Sequence, residues 1–381
     1  MIAFIQPFGL QAPGGGSRIL RGLLQCEHPR MMSLCTAIAP PPRSVGDEEV
    51  HLPQRPSLGR LETTRFHTYL GVFDRVFRAG FEDRLRTLLK AHSATLLHLI
   101  PHGYEIVPAL RVANELQIPY FLTVHDDIEY TSLGHPQMKQ MLLATSNAWR
   151  EAQGVFVICD AIGREYSARY GERPFTAVTD GLTVIADAPQ IRPGKSLRVY
   201  FMGLFHIRYG ANLRALLDAM KLIRKAYPDW NLTVTCRCDS VHYDSMKDDI
   251  PLTVLPFAPE QEVARDMEAA DLLYQPLPFQ QDSTAFGRFS LSTKLVTYLG
   301  SGLPILYHGP ENTAASSLLA DRHAAVLCTT LDPETIAAQL IKATFDRDNI
   351  VQNALQLARS QFLLADQQRR FWTPIANALS N

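Results

Sequence analysis

Short apolar runs alternate with helical patterns along most of this chain. Residues 2–5 have the pattern of a buried strand, and the apolar positions Ile19, Leu20, Leu23 and Leu24 have the spacing of one helix face. Further strands are predicted at 33–39, 95–100, 118–124, 155–159 and 175–185, and helices at 64–92, 106–116, 137–150 and 161–170. This alternation predicts a parallel sheet covered by helices on both faces, with ligands at the carboxyl ends of its strands.

A second series of the same kind follows a segment of linker composition, 186–196. It predicts strands at 197–202, 232–236, 252–255, 272–275, 305–307 and 325–328, helices at 212–227 and 259–269, and a helical end at 333–381. A length of 381 residues also exceeds what one hydrophobic core usually supports. We therefore expect an α/β fold with two Rossmann-like domains, 1–185 and 197–366. The segment 40–61, rich in Pro, Arg and Gly, is expected to be irregular.

Composition narrows the classes of function. A net charge of −1 and a pI near 6.9 argue against a generally basic surface, so no nucleic-acid partner is expected. The six cysteines contain no C-x-x-C pair, which is typical of reduced thiols. Because no apolar run of 18 residues and no signal-peptide pattern occurs, we expect a cytoplasmic protein without a membrane span. Peripheral membrane contact and the oligomeric state stay open.

The chain is organised around the stretch 289–306, FSLSTKLVTYLGSGLPIL. Ser290, Ser292 and Thr293 are residue types that begin helices, an apolar helical pattern follows, and glycines end the helix before a buried strand. Lys294 falls in the first turn of this helix. Free backbone N–H groups and a cation at one helix end predict an anion site, most plausibly for a phosphate.

The pattern S-T-K-L-x-x-Y-L-x-S-G-x-P-I-L resembles the donor-binding helix of GT-B glycosyltransferases, particularly glycosyltransferase family 4. The resemblance implies two Rossmann-like domains that face each other across a cleft, with the last helix, 367–381, crossing back to the first domain. It implies a nucleotide-diphosphate sugar as co-substrate, a UDP-sugar favoured over a GDP-sugar, and no metal or other cofactor. The family usually has two glutamates eight positions apart, the second gripping the ribose, where this chain has Phe289 and Thr297.

The resemblance also implies which residues hold the donor. Lys294 matches the family lysine of the phosphate clamp, and Arg208 is offered as a replacement for the family arginine, whose place Leu204 takes. A surface arginine in a turn is the alternative for Arg208. The remaining donor candidates are the glycine turn, the opening of the second domain, two residues after a strand, and the donor helix with its approach: Gly14, Gly15, Gly16, Gly203, Phe257, Ala258, Arg288, Ser292, Thr293, Leu295 and Thr297. The spacing of the three glycines alone equally fits a flexible turn.

Two predicted strand ends in the first domain carry polar residues. His125 and Asp126 follow one, and His102 and Glu105 follow another. His125 is a catalytic candidate that would position the sugar or shuttle a proton, although a lone histidine is more often structural. Asp126 would orient the imidazole or bind a hydroxyl group, with a helix cap as its alternative. His102 and Glu105 are acceptor-side candidates. No Asp-x-Asp that would hold a metal stands at a strand end.

The expected activity, by resemblance, is metal-independent sugar transfer with retention, to a sugar, lipid-linked or small-molecule acceptor. A second hypothesis is a catalytically weak relative that binds a sugar nucleotide or a partner, because the two glutamates are missing. A third is a sugar-nucleotide 2-epimerase. A nicotinamide dehydrogenase is disfavoured because neither glycine-rich turn matches G-x-G-x-x-G.

Overall fold

A computed structural model of the chain describes residues 1–41, 49–64, 67–189, 195–205, 209–238, 249–279, 284–345 and 347–380. Internal contacts divide the chain into two units. Unit 1 comprises Met1–Gly181 with Leu364–Asn381, and unit 2 comprises Leu182–Leu363. The predicted boundaries at 185, 196 and 366 stay predictions, and residues 190–194 of the predicted linker lie outside the described ranges.

Unit 1 is built on a parallel sheet of seven strands. They are β1 (Ile2–Gln6), β2 (Met31–Cys35), β3 (Glu49–His51), β4 (Leu96–Leu99), β5 (Tyr120–Val124), β6 (Gly154–Val157) and β7 (Thr176–Ala177). Their order is β3-β2-β1-β4-β5-β6-β7, so the direction of strand addition reverses between β1 and β4. Strand ends that flank such a reversal form the ligand crevice of doubly wound sheets. The loops after β1, β4 and β5 therefore carry the candidate chemistry of this unit.

Helices cover both faces of this sheet. They are α1 (Gly15–Leu24), α2 (Gly71–Val76), α3 (Arg78–Ala91), α4 (Ile106–Glu115), α5 (Ile128–Thr131), α6 (Met138–Glu151), α7 (Asp160–Tyr170) and the C-terminal α15 (Leu364–Ser380), with 3₁₀ turns at Gly59–Thr63 and His67–Leu70. α15 packs on α1, and Trp372 Nε1 donates to the carbonyl of Leu23 at 2.8 Å. In the core, His98 of β4 stacks on Phe4 and bonds Thr123 Oγ1 at 2.7 Å.

Unit 2 repeats the design with six parallel strands. They are β8 (Ser196–Met202), β9 (Asn231–Arg237), β10 (Leu252–Leu255), β11 (Leu272–Pro276), β12 (Ile305–His308) and β13 (Val326–Cys328). The order β10-β9-β8-β11-β12-β13 reverses between β8 and β11. The helices are α8 (Gly210–Ala226), α9 (Glu260–Ala269), α10 (Thr284–Phe289), α11 (Thr293–Leu299), α12 (Ala314–Arg322), α13 (Pro333–Phe345) and α14 (Arg347–Gln361). Strands β8 and β9 and helix α8 supply half of the residues of one apolar core cluster.

The predicted α/β class with two parallel sheets is confirmed. The prediction that 40–61 is irregular throughout is wrong, because β3 lies within it and pairs with β2. Glu49 of β3 accepts hydrogen bonds from the Leu10 amide at 2.7 Å and from Ser33 Oγ at 3.2 Å, contacts that tie the strand to distant segments. Within the described residues, no helix is both long and apolar enough to cross a membrane.

Candidate functional site

In unit 2, the turn after β8 meets the first turn of α11. Gly203 has φ +101°, and a Cβ atom there would lie 2.7 Å from Lys294 Cδ, so only glycine permits this approach. The Lys294 ammonium lies 4.8 Å from the ring centre of Phe201 and 5.6 Å from that of Tyr209. Within the described ranges it has no hydrogen-bond or carboxylate partner. The pairing of Gly203 with Lys294 is the contact that the donor hypothesis needs.

Burial acts on the charge of Lys294. Desolvation in this half-buried position lowers the pKa of its ammonium to about 8, and the rings of Phe201 and Tyr209 offset part of that cost through their negative faces. The side chain is therefore still mainly protonated at neutral pH. A cation at the carboxyl end of β8 that has no hydrogen-bond or carboxylate partner within the described ranges favours an anionic ligand, and it lies beside the reversal of strand order.

The helix start itself offers fewer donors than predicted. Ser292, and not Ser290, is the N-cap of α11, and its Oγ accepts from the Leu295 amide at 3.3 Å. The Leu295 amide is therefore already satisfied, and its side chain is buried in the core. The amides of Thr293 and Lys294 donate to no other described residue. Two backbone N–H groups of this helix start therefore remain available to a ligand.

The two positions where the family has glutamates take other roles. Phe289 is buried, with the Arg288 guanidinium carbon 4.9 Å from its ring centre. Thr297 Oγ1 donates to the carbonyl of Thr293 at 3.2 Å, one turn earlier in α11, so its oxygen can only accept from a ligand. Neither position supplies a ribose carboxylate. Arg288 is exposed at the end of α10.

Two residues that the sequence analysis missed position α11. The Tyr298 hydroxyl accepts from the Met202 amide at 3.0 Å and ties the helix to the end of β8. Gln275, at the end of β11, donates to Ser292 Oγ at 3.4 Å, and its own buried amide oxygen has no hydrogen-bond partner among the described residues. Asn212, also missed, instead joins the ends of β11 and β12, because its Nδ2 donates to the carbonyls of Leu277 and His308 at 2.9 Å each. A lone amide residue inside an apolar run, as in LLYQP, was the available signal.

The donor candidates Phe257 and Ala258 follow β10. Phe257 is 52% exposed and Ala258 is half-buried. Arg237, missed from sequence, holds this segment because its Nη1 donates to the Pro256 carbonyl at 2.7 Å while its Nε donates to Asp266 and its Nη2 lies 3.9 Å from Glu262. No hydrogen bond or ring contact joins Phe257 or Ala258 to α11 in the described part of the chain. Arg208 lies outside the described residues and stays a prediction.

In unit 1, three rings gather at the ends of β1, β4 and β5. Phe8 lies 5.7 Å from His102 and 6.3 Å from His125, and the two imidazoles are 5.7 Å apart between ring centres. His125 Nδ1 and His102 Nε2 are buried, and neither has a hydrogen-bond partner among the residues that the structure describes. Sequence reasoning found both histidines but missed Phe8, which follows a Gln-Pro pair and fits no periodic pattern.

The charge state of His125 follows from this packing. Burial, and then the neighbouring imidazoles of His102 and His98, lower the pKa of His125 to about 3. The ring is therefore neutral at physiological pH, with one nitrogen able to donate or accept a hydrogen bond. This chemistry suits positioning of a hydroxyl group better than proton transfer near neutral pH.

The glycine turn serves the same cluster. Gly14 has φ +142° just before α1, and Gly15 opens the helix. A Cβ atom on Gly16 would lie 2.8 Å from the Phe8 ring, so this glycine lets Phe8 pack against the helix. Packing against Phe8 therefore explains why the turn needs glycine at position 16. The predicted contact of the turn with the sugar-nucleotide donor stays a prediction.

The carboxylates differ in their availability. Glu105 is buried and accepts from the amides of His102 and Gly103, at 2.6 and 2.8 Å, and from Gln54 Nε2 at 3.0 Å. It therefore holds the loop that carries His102. Asp127, not Asp126, caps α5 and pairs with Arg169 at 2.9 Å. Asp126 is half-buried and has no side-chain partner among the described residues, which leaves its carboxylate available.

The described residues meet the requirements of neither a metal site nor a disulfide. Among them, no group of three His, Cys, Asp or Glu side chains is arranged to hold a metal ion. The six cysteines form no disulfide among the described residues.

Comparisons with known proteins place the fold. Residues 17–179 match the model of a family described as "Glycosyl transferase 4-like domain". The structure of Anabaena Alr3699/HepE in complex with UDP and glucose matches with a TM-score of 0.66 and 15% identity, over 100% of this chain and 99% of that chain. An α,α-trehalose-phosphate synthase (UDP-forming) from Burkholderia vietnamiensis matches with a TM-score of 0.65 and 13% identity, over 100% of both chains. The chain has the GT-B fold.

The structure of MurG from Acinetobacter baumannii, a third GT-B neighbour, matches with a TM-score of 0.54 and 15% identity, over 97% of both chains. No curated protein sequence matches the chain. The resemblance to GT-B glycosyltransferases that the donor-helix pattern suggested is thereby confirmed. At these identities the likeness shows the GT-B fold and leaves substrate and chemistry to the residues of the site.

Proposed function

We propose that this GT-B protein is a cytoplasmic glycosyltransferase that uses a nucleotide-diphosphate sugar, with a UDP-sugar favoured. The observation that carries the proposal is the ammonium of Lys294, which has no hydrogen-bond or carboxylate partner among the described residues and lies beside Gly203 over two aromatic rings at the carboxyl end of β8. The match to a glycosyl transferase 4-like domain supports it. Support for UDP comes from HepE, solved with UDP-glucose, and from the UDP-forming synthase.

The proposed chemistry follows from the charges. As the glycosidic bond to the diphosphate breaks, negative charge builds on the bridging oxygen, and donors fixed in advance stabilise it best. The Lys294 ammonium and the free amides of Thr293 and Lys294 would supply that stabilisation in unit 2. With a protein cation in this role, transfer is proposed to need no metal. Retention of configuration is proposed from the resemblance to family 4.

The acceptor is proposed to bind on unit 1, at the cluster of Phe8, His102 and His125. A neutral His125 with an unpartnered nitrogen would orient a sugar hydroxyl, and the available carboxylate of Asp126 would accept a hydrogen bond from the acceptor. Glu105 would act as a positioning residue through the His102 loop. A sugar, a lipid-linked sugar and a small molecule all offer such hydroxyl groups.

A specific observation also favours a second candidate, a protein that binds a sugar nucleotide but turns it over weakly. Phe289 is buried and the Thr297 hydroxyl donates within its own helix, so the ribose loses the carboxylate grip of the family. Loss of a charge-assisted hydrogen bond weakens binding by roughly 1.5–3 kcal/mol.

Release of UDP tests the proposal directly. Wild type, Lys294→Met and the control Lys225→Met, an exposed lysine of α8, are incubated with UDP-sugars, with and without acceptor mixtures, in EDTA. The proposal is supported if wild type and the control release UDP only with acceptor and Lys294→Met does not. NMR of the product then determines the anomeric configuration and so tests retention. Acceptor-independent release of UDP would indicate a 2-epimerase, and binding without release would indicate the second candidate.

A further inference from the structure

One helical segment of unit 1 turns its apolar face to solvent. Tyr69 lies in the 3₁₀ turn His67–Leu70, Val72, Phe73 and Val76 lie in α2, and Phe77 follows it; their spacing i, i+3, i+4, i+7 and i+8 is that of one helix face. Their exposed fractions are 68, 48, 39, 65 and 39%, respectively. We name these five residues the apolar stripe. Such a stripe ordinarily faces the core, so its exposure calls for a physical reason.

The polar side of the same segment faces inward. Asp74 accepts hydrogen bonds from Arg55 Nε at 2.8 Å and His135 Nε2 at 3.2 Å. Arg55 is only 5% exposed and also binds Glu62 through Nη2 at 2.9 Å. Turning the stripe inward would break this buried ion pair and leave Arg55 partly unpaired, which is strongly unfavourable. The outward direction of the stripe is therefore fixed by its own chain.

The segment also lies close against its neighbours on the polar side. A Cβ atom on Gly71, the first residue of α2, would lie 2.2 Å from His135 Nε2. This contact leaves no room for the segment to rotate.

The charges around the stripe are positive. Arg75 is exposed and has no partner among the described residues, and Arg78 lies 3.4 Å from Glu82. Asp74 is the acidic residue of the sequence 69–81, and it points inward. Aromatic and aliphatic side chains beside arginines are the composition of helices that lie in the interface of an anionic bilayer. Contiguous apolar surface of this kind is rarely left uncovered on a soluble monomer.

We propose that the apolar stripe docks unit 1 onto the surface of a bilayer containing anionic lipids. The stripe inserts among the headgroups without spanning, and Arg75 and Arg78 contact lipid phosphates. A second copy of the chain would need to bring acidic groups to these arginines, and the stripe itself offers none.

The docked surface is joined to the acceptor loop of unit 1. His135, which bonds Asp74, stacks on Tyr104 at 6.1 Å. Gln54, adjacent to Arg55, donates to Glu105 at 3.0 Å. The residues that fix the stripe therefore also fix the loop that carries His102. Resting on the proposed function, this favours a lipid-linked acceptor among the three classes.

Vesicle sedimentation of the full chain tests the docking without donor or acceptor. Phosphatidylcholine vesicles with and without phosphatidylglycerol are compared for wild type, Phe73→Ser/Val76→Ser, Arg75→Glu and the control Phe345→Ser, an aromatic residue of unit 2 that is 70% exposed. We expect wild type and the control to bind the anionic vesicles, with roughly tenfold weaker binding by the stripe and charge variants. Unchanged thermal unfolding would show that the variants are folded.

Other results would overturn the proposal. These are no sedimentation of wild type, equal binding by the stripe variant, and a dimer in light scattering that the stripe variant abolishes while vesicles are not bound. The last result would assign the stripe to a second copy. Because no sugar nucleotide is present, docking and the proposed transferase activity fail or succeed separately.

Discussion

At the scale of single residues, the central feature is a desolvated lysine that has no anionic partner in the part of the chain that the structure describes. Burial lowers the pKa of Lys294 to about 8, which means that the charged ammonium is destabilised in the protein without ligand. A bound diphosphate would stabilise the ammonium by placing a negative charge beside it. Lys294 thus connects the packing of Gly203, Phe201 and Tyr209 with the proposed chemistry.

Buried histidines in unit 1 make a second residue-scale prediction. Desolvation lowers the pKa of His98 to about 3 in the folded protein. Below pH 6.5, the ordinary pKa of histidine, this side chain therefore binds a proton in the unfolded chain but not in the folded one. Stability contributed by this neutral ring is complete above pH 6.5 and falls as the pH drops towards 3. The expected slope is about 1.4 kcal/mol per pH unit for one such group.

Chemical denaturation between pH 6.5 and 4.5 measures this slope. We expect His98→Gln to have a shallower dependence of unfolding free energy on pH than wild type, by about one proton. His92→Gln, at the exposed end of α3, is the matched control and should keep the wild-type slope. Equal slopes for all three proteins would show that His98 is not buried in the neutral form.

At the scale of elements, the turn after β8 packs directly against the first turn of α11, so a change in one displaces the other. Gly203→Ala places a Cβ atom 2.7 Å from Lys294 Cδ at a backbone φ of +101°. We expect a loss of stability of about 1 kcal/mol or more, together with a displaced ammonium and weaker binding of UDP. Thermal unfolding with and without UDP measures both effects.

Gly80→Ala is the control for this substitution. Gly80 lies inside α3, and a Cβ atom there meets nothing within 4 Å. Its replacement should stabilise the helix slightly and leave UDP binding unchanged. If Gly203→Ala bound UDP as tightly as Gly80→Ala, the turn would not be part of the donor site.

Elements were predictable where the pattern is local. The apolar runs of β1, β4, β5, β8 and β12 and the strand, glycine, helix openings of both units are visible in the sequence. The strand β3 was missed because it has only three residues and is partly exposed. The outward face of α2 could not be predicted, because it depends on the bond between Asp74 and Arg55, which are 19 positions apart.

The candidate site divides in the same way. Lys294 and Gly203 stand in motifs, and the histidines stand at strand ends, so sequence alone singled them out. Phe8, Gln275 and Arg237 act through partners that only the order of strands brings near. The pKa values of His125 and Lys294 likewise depend on burial, which no local pattern reveals.

At the scale of the whole molecule, two parallel sheets each reverse their strand order once, and the candidate residues gather at the strand ends beside each reversal. Unit 1 offers the neutral ring of His125 and the carboxylate of Asp126, which has no side-chain partner among the described residues, and both suit hydroxyl groups. Unit 2 offers a cation and free amides, suited to a diphosphate. The division of chemistry between the two units is what the proposed transfer requires.

The most direct test is the affinity for UDP as a function of pH, by calorimetry in EDTA, for wild type and Lys294→Met. Above pH 7 the diphosphate is ionised, so we expect wild-type affinity to fall as the pH rises past about 8, by up to about tenfold per pH unit, because the free protein loses the Lys294 proton. Lys294→Met should bind weakly and without this dependence. Tight, pH-independent binding by both proteins would contradict the assignment of Lys294 to the diphosphate.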